Sequence, residues 1–353
     1  MIHIGADDRF RTTAACLLLT PYVEENVEYH RPHPLRAYTL KAIEPQRDHP
    51  CAKLFRDLVA AGWFGSHFYS LAAWLTPSSP FRWTAPFEEV SECSLSPEGR
   101  TLAKERGLEE TYPAVLTSFL QAAGLPGFWQ ATREEWQTVC EQVRAALDRY
   151  HVEHWMESFW GPPPKPLLVV PNPTDPPTFG FAPSNRREAF CIIGPLAVPW
   201  SAPETLLAEL FDYSRDESAA DLGVHEFGHI WMAQARTQIS ELAEQTADVG
   251  QTLRLKDWFP RMYSQWPKQI EEMTIRAVQG AWRAEQISAK SADRFIQEET
   301  ERFGISILPS IYRLIIEERQ EGRRLGPEGC VRAARAAVER YRRSQLNRAR
   351  ESQ

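Results

Sequence analysis

The residues most able to do chemistry are His225-Glu226-Phe-Gly-His229, set between the uncharged flanks Leu222-Gly-Val and Ile-Trp231. On a helix, side chains four apart lie on one face, so the two imidazoles can share one divalent ion. Zinc takes such nitrogens readily, and a catalytic zinc keeps three protein ligands plus a water. Glu226 lies ~100° further round the helix, placed to reach a water on the ion rather than the ion itself. It is the expected general base of a hydrolysis, with an amide as the expected bond. The competing reading is a hydrogen-bonded histidine pair with a structural role.

A third ligand has to come from further along, and the acids available are Glu241, Glu244, Asp248, Glu271 and Glu272. The metzincin pattern is excluded, because Met232 and Ala235 stand where its glycine and third histidine belong. The zinc-site motif, together with Tyr263-Ser-Gln-Trp266 and then Glu272-Met-Thr-Ile-Arg276-Ala277, resembles a gluzincin-like family. Its members are mostly bacterial proteins grouped as a domain of unknown function and predicted to be peptidases. The family's Y-x-x-W and E-x-x-x-R-A patterns fall on those residues, and the Asp7-Asp8-Arg9 region and the strands before the motif are similar too. The likeness spans most of residues 1–320. It implies Glu272 as the third ligand. Many family members are exported, and this chain departs from them in showing no signal peptide.

Helical periodicity leaves an alternative open. Glu271 shares a side with Thr274, Ile275, Val278 and Trp282, while Glu272 shares one with Arg276, Gln279 and Arg283. Burial favours Glu271. A ligand facing a polar cleft, steadied by Arg276 one turn on, favours Glu272. Arg276, Tyr263 and Tyr312 are candidates to stabilise a developing oxyanion, and the expected catalytic set is Glu226, Arg276 and Tyr312. His151 and His154 could hold a second metal but lack a neighbouring carboxylate cluster. Gly228 and Gly223 could admit a close neighbour. No Walker loop, dinucleotide fingerprint or G-x-S-x-G turn is present.

The expected function is a zinc-dependent metallopeptidase acting on a peptide or protein. Two alternatives stand beside it: a degenerate zincin serving as a binding or regulatory module, and a zinc amidohydrolase with a non-peptide substrate. The intact Glu226 weighs against degeneracy.

The elements that must position these groups can be read coarsely. Before residue 150 the chain suggests helices at 52–61 and 113–123. Thr132 and Glu135 form a capping-box pattern opening a helix that runs to about Tyr150. A proline-dense connector surrounds Leu167–Val170, and with Ala189–Ile193 it suggests two strands of a small sheet. Helices are expected at 203–214, 218–247, 267–287, 291–302 and 306–321. The order implies an α+β fold. A helical region at 1–150 would pack on a zincin-like catalytic domain at 151–325, followed by a basic helix at 326–353, in which Val331 to Gln353 carry seven arginines against Glu339 and Glu351. That helix is expected to be solvated.

Bulk properties narrow the classes. With 353 residues and 43% hydrophobic content the chain can bury a substantial core. A formal charge of −7 argues against a nucleic-acid partner. No apolar run approaches the ~20 residues a membrane helix needs. The start, MIHIGADDRF, has no basic segment before its apolar run, so a mature cytoplasmic chain is expected. Six cysteines are scattered singly, with no C-x-x-C pair, and are expected to be buried free thiols.

Overall fold

Leu167–Pro171 and Ala189–Ile193 are apolar on every position, which suits strands covered on both faces. The computed structural model describes residues 2–25, 34–175, 179–195, 213, 217–256, 258–320 and 323–351. In it these runs are neighbours in a four-stranded sheet made of β1 (Ile2–Ile4), β2 (Leu167–Pro171), β3 (Gly180–Phe181) and β4 (Ala189–Ile193), in the order β1-β2-β4-β3. β1 runs parallel to β2 in the register Ile2↔Leu167, and β2 parallel to β4 in the register Leu167↔Ala189. β3 closes the far edge antiparallel to β4. The fold is mixed α/β and mostly helical, with this small sheet. The expected helix at 203–214 lies outside the described residues apart from Tyr213.

The chain divides into two compact units, Met1–Arg149 with Lys165–Gly223, and Tyr150–Pro164 with Val224–Gln353. One division, between Arg149 and Tyr150, falls beside the expected boundary at 150, and the others fall at 164/165 and 223/224. The strands group with the first 149 residues, and the terminal basic helix groups with the metal motif.

In the first unit, the helix Asp8–Leu17 starts where the Asp7 carboxylate accepts the Arg9 N–H at 3.0 Å. Phe10 packs edge-on against Phe190 of β4 and Tyr69, tying that helix to the sheet and to the helix Gly65–Ala72. The capping-box helix spans Arg133–Arg149 and packs on β1 and β2. A buried polar network follows β2. Asp175 accepts from Tyr69 Oη at 2.6 Å and from Asn172 Nδ2 at 2.9 Å, while Thr174 Oγ1 donates to Asn172 Oδ1 at 2.5 Å. Arg36 donates to the backbone carbonyls of Thr174 and Asp175.

In the second unit, the helix Trp266–Gln286 is the hub. Pro267 sits in its first turn, and one long face is buried, including Met273, Ile275, Val278 and Trp282. Around it pack the helices Arg236–Gln245, Ala289–Phe303, Leu308–Gln320 and Gly326–Glu351. The single helix expected over 218–247 is broken: Ser218–Met232 ends in a 3₁₀ turn at Ala233–Ala235 before Arg236–Gln245 begins. The terminal helix is not solvated all round. Cys330, Val331, Ala334, Ala337 and Val338 are buried on one face, and Arg342 reaches Asp248 at 2.8 Å. Of the six cysteines, Cys16, Cys51, Cys191 and Cys330 are buried, Cys140 partly so, and Cys93 is exposed. Among the described residues no helix is long and apolar enough to cross a membrane.

Candidate metal centre

Four-residue spacing does what the sequence requires of it. On Ser218–Met232 the rings of His225 and His229 lie on one face, with centroids 5.1 Å apart. Gly228, between them in sequence, faces the hub helix. A Cβ there would lie 3.3 Å from Ile275 Cγ2, so its absence lets the two helices approach closely.

The hub helix supplies the carboxylates. Glu271 and Glu272 differ by ~100° in direction, and each finds a different edge of the histidine pair. Glu272 Oε1 lies 3.2 Å from His229 Nε2, and Glu272 Oε2 lies 3.5 Å from His225 Nε2. Glu271 Oε1 instead meets His229 Nδ1 at 2.8 Å, and Gln279 Oε1, two turns along, meets His225 Nδ1 at 2.9 Å. With Nδ1–H donated in both rings, the Nε2 atoms are the ones turned toward Glu272. Among the described residues, His225, His229 and Glu272 form the one group of three or more acids, histidines or cysteines able to hold a metal, with ligand atoms within 4.8 Å of one another. Both adjacent glutamates thus contact the histidine pair, Glu272 at the Nε2 atoms and Glu271 at Nδ1 of His229.

One atom tests whether these residues suit a cation. Glu272 is 4% exposed, and no hydrogen-bond donor among the described residues serves its Oε2. A buried carboxylate oxygen without a partner is costly. Two imidazole nitrogens and that oxygen form a donor set for a borderline divalent ion.

The electrostatics follow from burial and these contacts. Burial pushes His225 down to about 4, against the pull of the Glu272 charge. Burial also acts against a charged His229, but Glu272 and the hydrogen bonds to Glu271 and Glu272 outweigh it and hold His229 up at about 10. Burial would raise both glutamates, yet His229 outweighs it: Glu271 is held down to about 2 and Glu272 well below the usual carboxylate range. Glu226, 7% exposed, is raised to about 7, mainly by burial, with His229 pulling it down and Glu272 pushing it up. It belongs to this charge cluster and is poised to accept a proton near neutrality.

Arg276 is committed to holding the site together. It pairs with Glu299 of the helix Ala289–Phe303, lies 3.8 Å from Glu272 Oε2, and packs over the Phe303 ring at 4.5 Å. It also shares a hydrogen bond with the Tyr263 hydroxyl. These contacts tie Arg276 to Glu272, Glu299 and Phe303.

Tyr312 is not brought to the cluster. Its Cδ2 lies 3.0 Å from where a Cβ on Gly280 would be, eight residues and so about 12 Å along the hub helix from Glu272. There it lines a cavity of about 510 Å³ with Ile296, Thr300 and Pro309, and its hydroxyl is shifted up by burial and by Asp293. The tyrosine at the site is Tyr263, which burial raises first and the charges of Glu272 and Glu226 raise further. Glu241, Glu244 and Asp248 are exposed, as are His151 and His154.

Sequence reasoning gave no role to Gln279 or Glu299. Glu299 did leave a signal: it occupies the buried stripe Ala292, Ile296, Glu299, Phe303, where a lone acid needs a cationic partner. No family model matches this chain, and neither a curated protein nor a solved structure is similar to it.

Proposed function

We propose that this protein is a zinc-dependent hydrolase, a metallopeptidase of gluzincin type acting on a peptide or protein, with His225, His229 and Glu272 as ligands. The observation that carries the reading is the buried Glu272 carboxylate beside two imidazole Nε2 atoms, with no hydrogen bond to its Oε2, while the other edges of both rings are fixed by Gln279 and Glu271. A zinc ion bound there would supply Lewis acidity, lowering the pKa of a water and polarising a carbonyl.

The chain's own groups do the rest. Glu226, with its pKa near 7, takes the proton of the attacking water and returns it to the leaving nitrogen. The Tyr263 hydroxyl, kept neutral by burial, donates to the developing oxyanion in the role expected of Tyr312. Arg276 and Glu299 fix the Glu272 carboxylate. In this reading the zincin-like core is built on His225, Glu226 and His229 of the motif helix and on the hub helix, all in the second unit.

Metal analysis of the purified chain tests this. About one zinc per chain is expected in wild type and in Glu226→Gln, with peptide hydrolysis lost in the variant. Glu272→Ala should lose metal affinity by at least a hundredfold, more than outer-shell changes typically cost. Zinc retained at full stoichiometry in Glu272→Ala would remove Glu272 from the ligand set. Stoichiometric zinc in a wild type that cleaves no member of a diverse peptide library, but does cleave small amides, would move the substrate class. No turnover of either would leave a metal-binding module.

A further inference from the structure

In the first unit, two thiols from separate helices meet in the core. Cys16 sits in the last turn of Asp8–Leu17 and Cys51 in the first turn of Pro50–Ala60. Both are fully buried. Their sulfurs are 2.8 Å apart across a separation of 35 residues. A disulfide bond is ~2.04 Å long, so closing one needs only about 0.8 Å of approach. No zinc-site residue takes part.

We propose that Cys16 and Cys51 are a cross-linking site, joined as a disulfide when the chain folds in the presence of a small-molecule disulfide. The thiolate of one cysteine attacks the oxidant's S–S bond and forms a mixed disulfide, releasing one small thiol. The thiolate of the second cysteine then displaces the other small thiol. Two protons and two electrons leave the protein, and one oxidant molecule is reduced to two thiols. The step belongs to folding, before the helices close over both sulfurs. Once formed, the bond is shielded from solvent reductants. Disulfides persist in oxidising compartments, so this site bears on where the chain folds and counters the cytoplasmic expectation drawn from its first residues.

The test refolds full-length protein with glutathione disulfide, then unfolds it in guanidinium with excess N-ethylmaleimide, with or without prior reduction. Four labelled cysteines without reductant and six with it are expected, and peptide mapping should join the Cys16 and Cys51 peptides with loss of two hydrogens. Oxidised wild type should melt roughly 5–10 °C above the reduced form. The double variant Cys16→Ser, Cys51→Ser should label identically under both conditions and show no such shift. Six labelled thiols without reductant, or a link through any other cysteine, overturns the proposal, and the wild-type labelling decides it even if the variant folds poorly. Zinc content plays no part, so this outcome is separate from that of the metal centre.

Discussion

Two buried acids, one in each unit, sit in contrasting surroundings. Asp175 is 1% exposed and both carboxylate oxygens accept hydrogen bonds, from Tyr69 and Asn172. Glu272 is 4% exposed; its Oε1 meets His229 Nε2, while its Oε2, 3.5 Å from His225 Nε2 and 3.8 Å from Arg276, accepts no hydrogen bond among the described residues. A satisfied buried network specifies a fold, because each member completes another. A buried carboxylate oxygen without a donor is costly, and the metal proposed here would offset that cost. If Glu272 is a ligand as proposed, the contrast separates a structural carboxylate from a liganding one, although both are deeply buried.

The comparison can be broken most sharply at Asp175. Asp175→Ala should destabilise the fold by about 3–5 kcal/mol, measured by denaturant unfolding, because it strips the partners from Tyr69 and Asn172 together, while the metal content of whatever folds stays unchanged. A small stability loss would mean that the network is not structural. Next in size, Gln279→Leu should weaken zinc binding by about 10–100-fold through loss of the Nδ1 acceptor that orients His225, with little change in melting temperature. Unchanged affinity would show that His225 needs no second partner.

The smallest effect is one of pH. In the metal-free protein His229 holds its proton up to about 10, so an ion must displace that proton to bind. Affinity should therefore rise about tenfold per pH unit between roughly pH 7 and 9, with about one proton released per zinc in calorimetry across buffers of different ionisation enthalpy. The sign is set by the raised value: lowering the pH favours the protonated imidazole and drives the ion out. A flat profile would place the displaced proton elsewhere.

Much of the centre was legible because its logic is local. His225, Glu226 and His229 declare themselves through a spacing that a helix converts into a shared face. Glu272 needed more, namely the resemblance and the argument that a ligand faces the polar side of its helix. Gln279 was visible on that same side but carried no chemistry of its own. Glu299 was hidden because its partner, Arg276, belongs to a different helix and only packing joins them. Tyr312 enters the expected catalytic set from sequence while Tyr263 lies at the cluster, since their distances from the acids depend on how helices return past one another. In the fold, β2 and β4 could be read from their apolar runs, whereas β1 and β3 have three and two residues, too few to show any period. The break after Met232 carries no proline, glycine or capping side chain to announce it.

Glu271, Glu272, Arg276 and Gln279 all project from Trp266–Gln286, so every group that answers the two histidines is mounted on one rod. Such a site has no loop with which to adjust its aperture. For the metal proposed here, tolerance for ions of different radius would be set by the spacing between two helices, which pack closely where Ile275 rests against Gly228. If the centre binds a metal as proposed, its ion preference would follow from the packing of Ile275 on Gly228, a contact that holds no donor atom.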